Sequence, residues 1–135
     1  MHGDALPGWT GDLDSALDQK LGIELVEVGA DRVVGRMPVV GNTQPLGLLH
    51  GGANAVLVET LGSIGATAHA RSRGMVAVGL ELNITHLGAA RSGWVTGVAV
   101  AVRLGGTVAS YQVEITDEDG RTTATGRLTC LLRPA

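Results

Sequence analysis

The sequence predicts an α+β fold in which one long buried helix is covered by an antiparallel sheet. Three observations lead there. Residues 53–71 have the length and apolar spacing of a helix, with Val56, Leu57, Leu61, Ile64 and Ala68 recurring at helical intervals. That segment is apolar or small nearly all round, which marks a helix without a wide solvent face. The residues after it break into four strand-like runs joined by tight turns, with no βαβαβ alternation of the kind that builds a parallel sheet.

The elements follow in order. Residues 1–11 read as a flexible leader, and residues 12–135 as one domain. A short helix is expected from Asp12 as N-cap, with Leu13, Ala16, Leu17 and Leu21 on one face and Gly22 as its stop. Residues 23–28 and 32–39 form a hairpin around the turn composition Gly29-Ala30-Asp31. A loop with Pro45 and Gly47 then leads through His50-Gly51-Gly52 into the long helix. Gly62 and Gly65 inside that helix each cost roughly 1 kcal/mol relative to Ala, so a packing reason is expected. From Met75 to Thr85, Val76, Val78, Leu80, Leu82 and Ile84 alternate with smaller or polar residues in strict period two. Strands at 94–104, 108–116 and 122–132 follow, turned by Gly105-Gly106 and by Asp117-Glu118-Asp119-Gly120.

Composition excludes several classes of function. The chain has 135 residues with no Phe, one Tyr, two Trp and 21 Gly, so its core is built from aliphatic residues and Ala. Three aromatic residues are too few for a base-stacking platform, and a net charge of -3 lacks the basic footprint of a phosphate-backbone binder. No nucleic-acid partner is expected. No window reaches the roughly 18 apolar residues of a membrane span, and no signal peptide is visible. The lone Cys130 excludes an intramolecular disulfide and fits a reducing, cytoplasmic setting; in a strand it reads as a small core filler. There is no CxxC, HExxH, P-loop or GxSxG pattern, so neither a metal site nor a serine triad is expected.

The chemistry-bearing stretch runs from Gln44 to Ser63. Glu59 is the only charged residue between His50 and His69, in the middle of a helix expected to be buried. An isolated buried carboxylate needs a partner, a proton or a task. From position alone a catalytic role and a structural ion pair stay equally open. Gly51-Gly52 opens the helix, where free N–H groups and the positive dipole end suit a polarised carbonyl oxygen; a simple entry turn is the alternative. His50, just before the helix, reads as a cap or loop hydrogen bond, with catalysis as the alternative. Ser63 lies one turn after Glu59 at i+4, placed to orient it or a water. Gly51 and Glu59 are eight residues apart, which is ~12 Å along one helix. A carboxylate attacking or activating at a carbonyl carbon must come within about 3–3.5 Å of it, and the oxyanion donor sits as close to the oxygen. One helix cannot readily supply both to one substrate, so if both act the site is composite and an obligate homodimer is expected.

Gln44, His50-Gly51-Gly52 and Glu59-Thr60-Leu61-Gly62-Ser63 together resemble the helix segment of hotdog-fold acyl-CoA thioesterases. The likeness is greatest to the subgroup with the phenylacetate-pathway, 4-hydroxybenzoyl-CoA, 1,4-dihydroxy-2-naphthoyl-CoA and enterobactin-proofreading enzymes. It continues through Val78-Gly79-Leu80-Glu81-Leu82-Asn83-Ile84-Thr85-His86 and the following hairpins, over about residues 12–133. The resemblance implies a central helix wrapped by an antiparallel sheet of about six strands, and a homodimer paired into a homotetramer. It implies Glu59 as catalytic carboxylate, either nucleophile or general base, and Gly51 as the N–H donor to the thioester carbonyl. Gln44 and His50 then bond near the carbonyl or water, and Ser63 assists. Gly52, Thr60, Gly79, Leu80 and His86 become substrate-binding positions. Many relatives carry Asp where Glu59 stands, and Arg where Gly106 stands.

The function that follows is hydrolysis of an aryl- or other acyl-CoA, or of an acyl-carrier thioester, to acid and thiol. It needs no cofactor, because coenzyme A belongs to the substrate. Arg71, Arg73 and Arg91 are candidate contacts for its phosphates, and Trp94 and Tyr111 candidate members of an otherwise aliphatic acyl pocket. Two alternatives share the fold: an acyl-thioester hydratase or dehydratase using His50 with Glu59, and a non-catalytic acyl-CoA-binding module.

Overall fold

The computed structural model describes residues 6–135. Of the expected leader, residues 1–5 lie outside the described residues, while Gly8–Asp12 forms a 3-10 helix whose Trp9 packs against the core. The first α-helix, α1, is Ala16–Leu21. Its N-cap is Ser15, whose hydroxyl accepts from the Asp18 N–H, rather than Asp12, which belongs to the preceding 3-10 turn. Gly22 ends α1 in the left-handed conformation at φ 76°.

The hairpin is β1, Glu24–Val28, and β2, Arg32–Pro38. The long helix α2 spans Gly51–Arg71. It is followed by β3, Met75–His86, β4, Trp94–Leu104, β5, Val108–Thr116, and β6, Thr122–Pro134. The six strands form one sheet in the order β1-β2-β4-β5-β6-β3, with every neighbouring pair antiparallel. α2 lies across one face of the sheet and packs on all six strands, which is the hotdog arrangement.

Packing explains the two interior glycines of α2. A Cβ at Gly62 would stand 2.7 Å from a Leu128 methyl, and one at Gly65 would stand 2.6 Å from the Tyr111 ring. The helix therefore sinks onto β5 and β6 as far as its backbone permits. Tyr111 is fully buried beneath it and its hydroxyl donates to Ala30 O at 2.6 Å. Burial pushes this phenol well above the usual tyrosine range.

Two expectations change. The first is the helix environment. Leu57, Val58, Leu61, Ile64 and Ala66 are buried, but Ala55, Val56, Glu59, Thr60, Ser63 and Thr67 form a half-open stripe under α1. Glu59 is thus half-buried in the chain rather than enclosed. The second is the strand β3. Its alternation is unbroken in sequence, yet the pairing with β6 has a bulge: Gly79 pairs with Cys130 and Glu81 with Thr129, and Leu80 is skipped. An extra residue reverses which parity faces inward. Before the bulge Met75 and Ala77 pack on the core and Val76 and Val78 are exposed; after it Ile84 packs on the core and Leu82 reaches the helix side.

Candidate active site

The loop that feeds α2 is pinned at both ends. The Asn42 side chain donates to Leu21 O at 2.7 Å and to Pro38 O at 2.9 Å, and the Asn42 backbone carbonyl accepts from the His50 N–H at 2.8 Å. This fixes where α2 starts. His50 is the N-cap, with Nδ1 accepting from the Gly52 N–H at 2.8 Å, and His50 O accepts from Ala53 and Asn54. Of the first four N–H groups, Gly51's is the one without a partner among the described residues. Over it lies His86, from the far end of β3: a Cβ on Gly51 would stand 2.9 Å from His86 Nε2. Glycine at 51 leaves room for the imidazole beside an open donor.

Two turns further along α2, Glu59 faces a cavity of about 530 Å³ between α1, α2 and β3. Ser63 Oγ donates to Glu59 Oε2 at 3.2 Å, as the i+4 spacing predicts. Val56, Ile64, Leu13, Leu17 and Leu82 make the cavity mostly apolar. Thr60 and Asp18 close one side with a hydrogen bond of 2.7 Å that ties α1 to α2. Gly79 borders Glu59 from β3.

The predicted residues therefore fall into two groups on one chain. Glu59, Thr60, Ser63 and Gly79 gather at the cavity, and His50, Gly51, Gly52 and His86 gather at the start of α2. The eight residues between Gly51 and Glu59 lie in one continuous helix, ~12 Å in axial rise. Gln44 joins neither group in this chain. Its Oε1 accepts from the N–H groups of Leu46 and Leu48, folding its own loop. Leu80 stands exposed at the bulge.

Other expectations are redirected. Tyr111 is a core residue, and the Trp94 ring lies under the Arg36 guanidinium at 3.9 Å, so neither lines the cavity. Arg71 stacks over Trp9 at 4.8 Å, and Arg91 sits with Arg121 in a recess where the acids Asp117, Glu118 and Asp119 outnumber the two arginines. Cys130 is fully buried. Burial pushes its thiol up, the Ser63 hydroxyl pulls it partly back, and the Glu59 charge adds to the rise. Asp18 and Asn54 were missed from sequence. Asp18 reads as an ordinary helix-surface acid until α1 docks. Asn54, on the first turn of α2, is 4 % exposed with Oδ1 lacking a donor among the described residues. No helix among the described residues is long and apolar enough to cross a membrane.

Comparison with known proteins shows the family. The sequence profile of the thioesterase superfamily matches residues 46–124, which include Glu59, Ser63 and both glycines at the start of α2. The 1,4-dihydroxy-2-naphthoyl-CoA hydrolase of Escherichia coli is 43% identical over 110 residues, covering 81% of this chain and 79% of that one. A proofreading thioesterase of Cronobacter turicensis is 42% identical over 113 residues, covering 83% and 82%. The crystal structure of a thioesterase from Haemophilus influenzae superposes with a TM-score of 0.87 at 31% identity, covering 99% of this chain and 96% of that one. The chain belongs to the thioesterase superfamily, and its activity is thioester hydrolysis.

Proposed function

We propose that this enzyme hydrolyses acyl-CoA thioesters, aryl-CoA esters among them, or the matching acyl-carrier thioesters, at a site shared between two subunits. The observation that carries the reading is Glu59 at the wall of an apolar cavity, with Oε2 held by Ser63 and Oε1 without a partner among the described residues. The acyl group occupies that cavity. The open N–H of Gly51 and the Gln44 side chain, brought by the second subunit, polarise the carbonyl oxygen, and His50 and His86 line the approach. Gly52, Thr60, Gly79 and Leu80 border the bound substrate.

The chemistry needs little more. As general base, Glu59 takes a proton from water while the water oxygen bonds to the carbonyl carbon. As nucleophile, Glu59 forms an acyl anhydride that water then opens. In both routes the C–S bond breaks and the thiol leaves, with no cofactor beyond the coenzyme A of the substrate. The composite site requires a homodimer. In support, β3 is a sheet edge of twelve residues carrying exposed Val76, Val78 and Leu80. A long apolar edge of this kind is what a second strand pairs with. The outward Val100 and Val102 of β4 suit a further pairing of dimers into a homotetramer. A reducing cytoplasm is the setting that suits the lone thiol.

The test is release of free thiol from a panel of aryl- and fatty-acyl-CoA esters, for the native enzyme and Glu59→Gln. Native turnover with a loss of about 10³-fold or more in the variant is expected. Native-like turnover by Glu59→Gln refutes the role of Glu59. A hydratase would release no thiol, and a binding module would retain acyl-CoA unchanged.

A further inference from the structure

We propose that Gly79 is a positioning residue that sets the depth and orientation of the Glu59 carboxylate, and thereby presents Oε1 as the reacting oxygen. The inference rests on the assignment of Glu59 above. An ideal Cβ at Gly79 would stand 2.5 Å from Glu59 Oε2, 3.5 Å from its carboxyl carbon and 3.7 Å from Oε1. Only a hydrogen fits there. Oε2 is thus confined between the strand backbone at Gly79 and the Ser63 hydroxyl 3.2 Å away. Oε1, farther from the strand, is the oxygen left for water or the acyl carbon.

The strand itself does not ask for glycine at this position. Gly79 is not among the residues with positive φ. Ala77, two residues earlier and on the same face, carries a methyl packed against the core. What is special at 79 is the neighbour. The bulge that skips Leu80 ends the first half of β3 here, opposite buried Cys130, with the helix-facing side of Gly79 against the carboxylate.

The encroached atom is the far end of a flexible side chain, not backbone. Gly79→Ala is therefore accommodated by the fold, and the carboxylate is what moves. Ordinary contact requires Oε2 to withdraw by about 0.5–1 Å, which takes it off Ser63 and turns Oε1 from its line of attack. A displacement near 1 Å costs on the order of a hundredfold in rate.

Three measurements test this on the full-length enzyme. Steady-state thiol release by Gly79→Ala should show kcat lower by about a hundredfold with KM within about threefold of native. In a Glu59→Asp background the shorter side chain no longer reaches Gly79, so adding Gly79→Ala should change kcat by less than about threefold. A crystal structure of Gly79→Ala should show the Glu59 carboxylate displaced and beyond 3.5 Å from Ser63 Oγ, and this reading holds whatever the rate of Glu59→Asp. Native kcat in Gly79→Ala, an equal loss in both backgrounds, or an unmoved carboxylate each overturns the inference. Native-like turnover by Glu59→Gln would instead overturn the underlying assignment of Glu59, so the two failures are separable.

Discussion

Replacing Gly65 by Ala should destabilise the protein, although the same change in an exposed helix interior would stabilise it by about 1 kcal/mol. The reason is the Tyr111 ring. A methyl at position 65 would lie 2.6 Å from Cε2, 2.7 Å from Cζ and 3.0 Å from the hydroxyl oxygen. The ring is fully buried and tethered by its 2.6 Å bond to Ala30 O, so it cannot swing aside without loss. Overpacking of this kind costs about 1–3 kcal/mol. A ring displaced by the missing ~1 Å also weakens its hydrogen bond, worth about 1 kcal/mol net. The helix propensity of Ala returns part of this. The balance is a loss of about 1–3 kcal/mol, or a fall in Tm of roughly 4–12 °C for a chain of this size. Thermal unfolding followed by circular dichroism at fixed protein concentration measures it. The same substitution in a Tyr111→Val background should cost less or stabilise, because the ring is gone. A Gly65→Ala enzyme with Tm at or above the native value would refute the argument, and with it the account of why α2 carries glycines.

Two further outcomes are expected. Leu80→Arg, placed on the exposed edge of β3, should drive the assembly toward monomer in sedimentation velocity at micromolar concentration, and thiol release should fall at least about tenfold with it, because a composite site loses its second half; a monomeric variant with native turnover would show that one chain suffices. Cys130, buried and with its thiol pushed up by burial, should stay unmodified by a thiol-specific reagent at pH 8 in the folded enzyme and react to one equivalent per chain in guanidinium; rapid labelling of the native protein would contradict its burial.

The parts of this structure that depend on local chemistry were legible in the sequence. The strands β4 and β5 begin and end where Gly105-Gly106 and the Asp117–Gly120 turn imply, and Gly22 stops α1 as expected. The pair Glu59 and Ser63 follows from helical spacing alone. What failed depends on tertiary contact. Asp12 and Ser15 are equally good caps by composition, and the docking of Trp9 and Leu13 decides between them by winding residues 8–12 into a 3-10 turn. The half-open stripe of α2 is invisible because its residues are as small and apolar as the buried ones. Asp18 meets Thr60 across 42 positions, and Gly79 meets Glu59 only through the curvature of the sheet. The bulge at Leu80 is hidden by chance continuity of the apolar alternation.

That bulge lets one strand belong to two surfaces. Its first half shows Val76 and Val78 to the outside, while its second half turns Leu82 toward the cavity and Ile84 toward the core. Substitutions at 76 or 78 can remodel how copies of the enzyme meet without entering the acyl cavity, and a change at Leu82 can reshape the cavity without altering the outer valines. The two properties are separable in side chain. Removing the single residue Leu80 would bring β3 and β6 into regular alternation with Gly79 still opposite Cys130, Leu82 opposite Leu128 and Ile84 opposite Gly126, so both faces would be kept. The one extra residue is what lets a continuous apolar alternation in the sequence serve both surfaces.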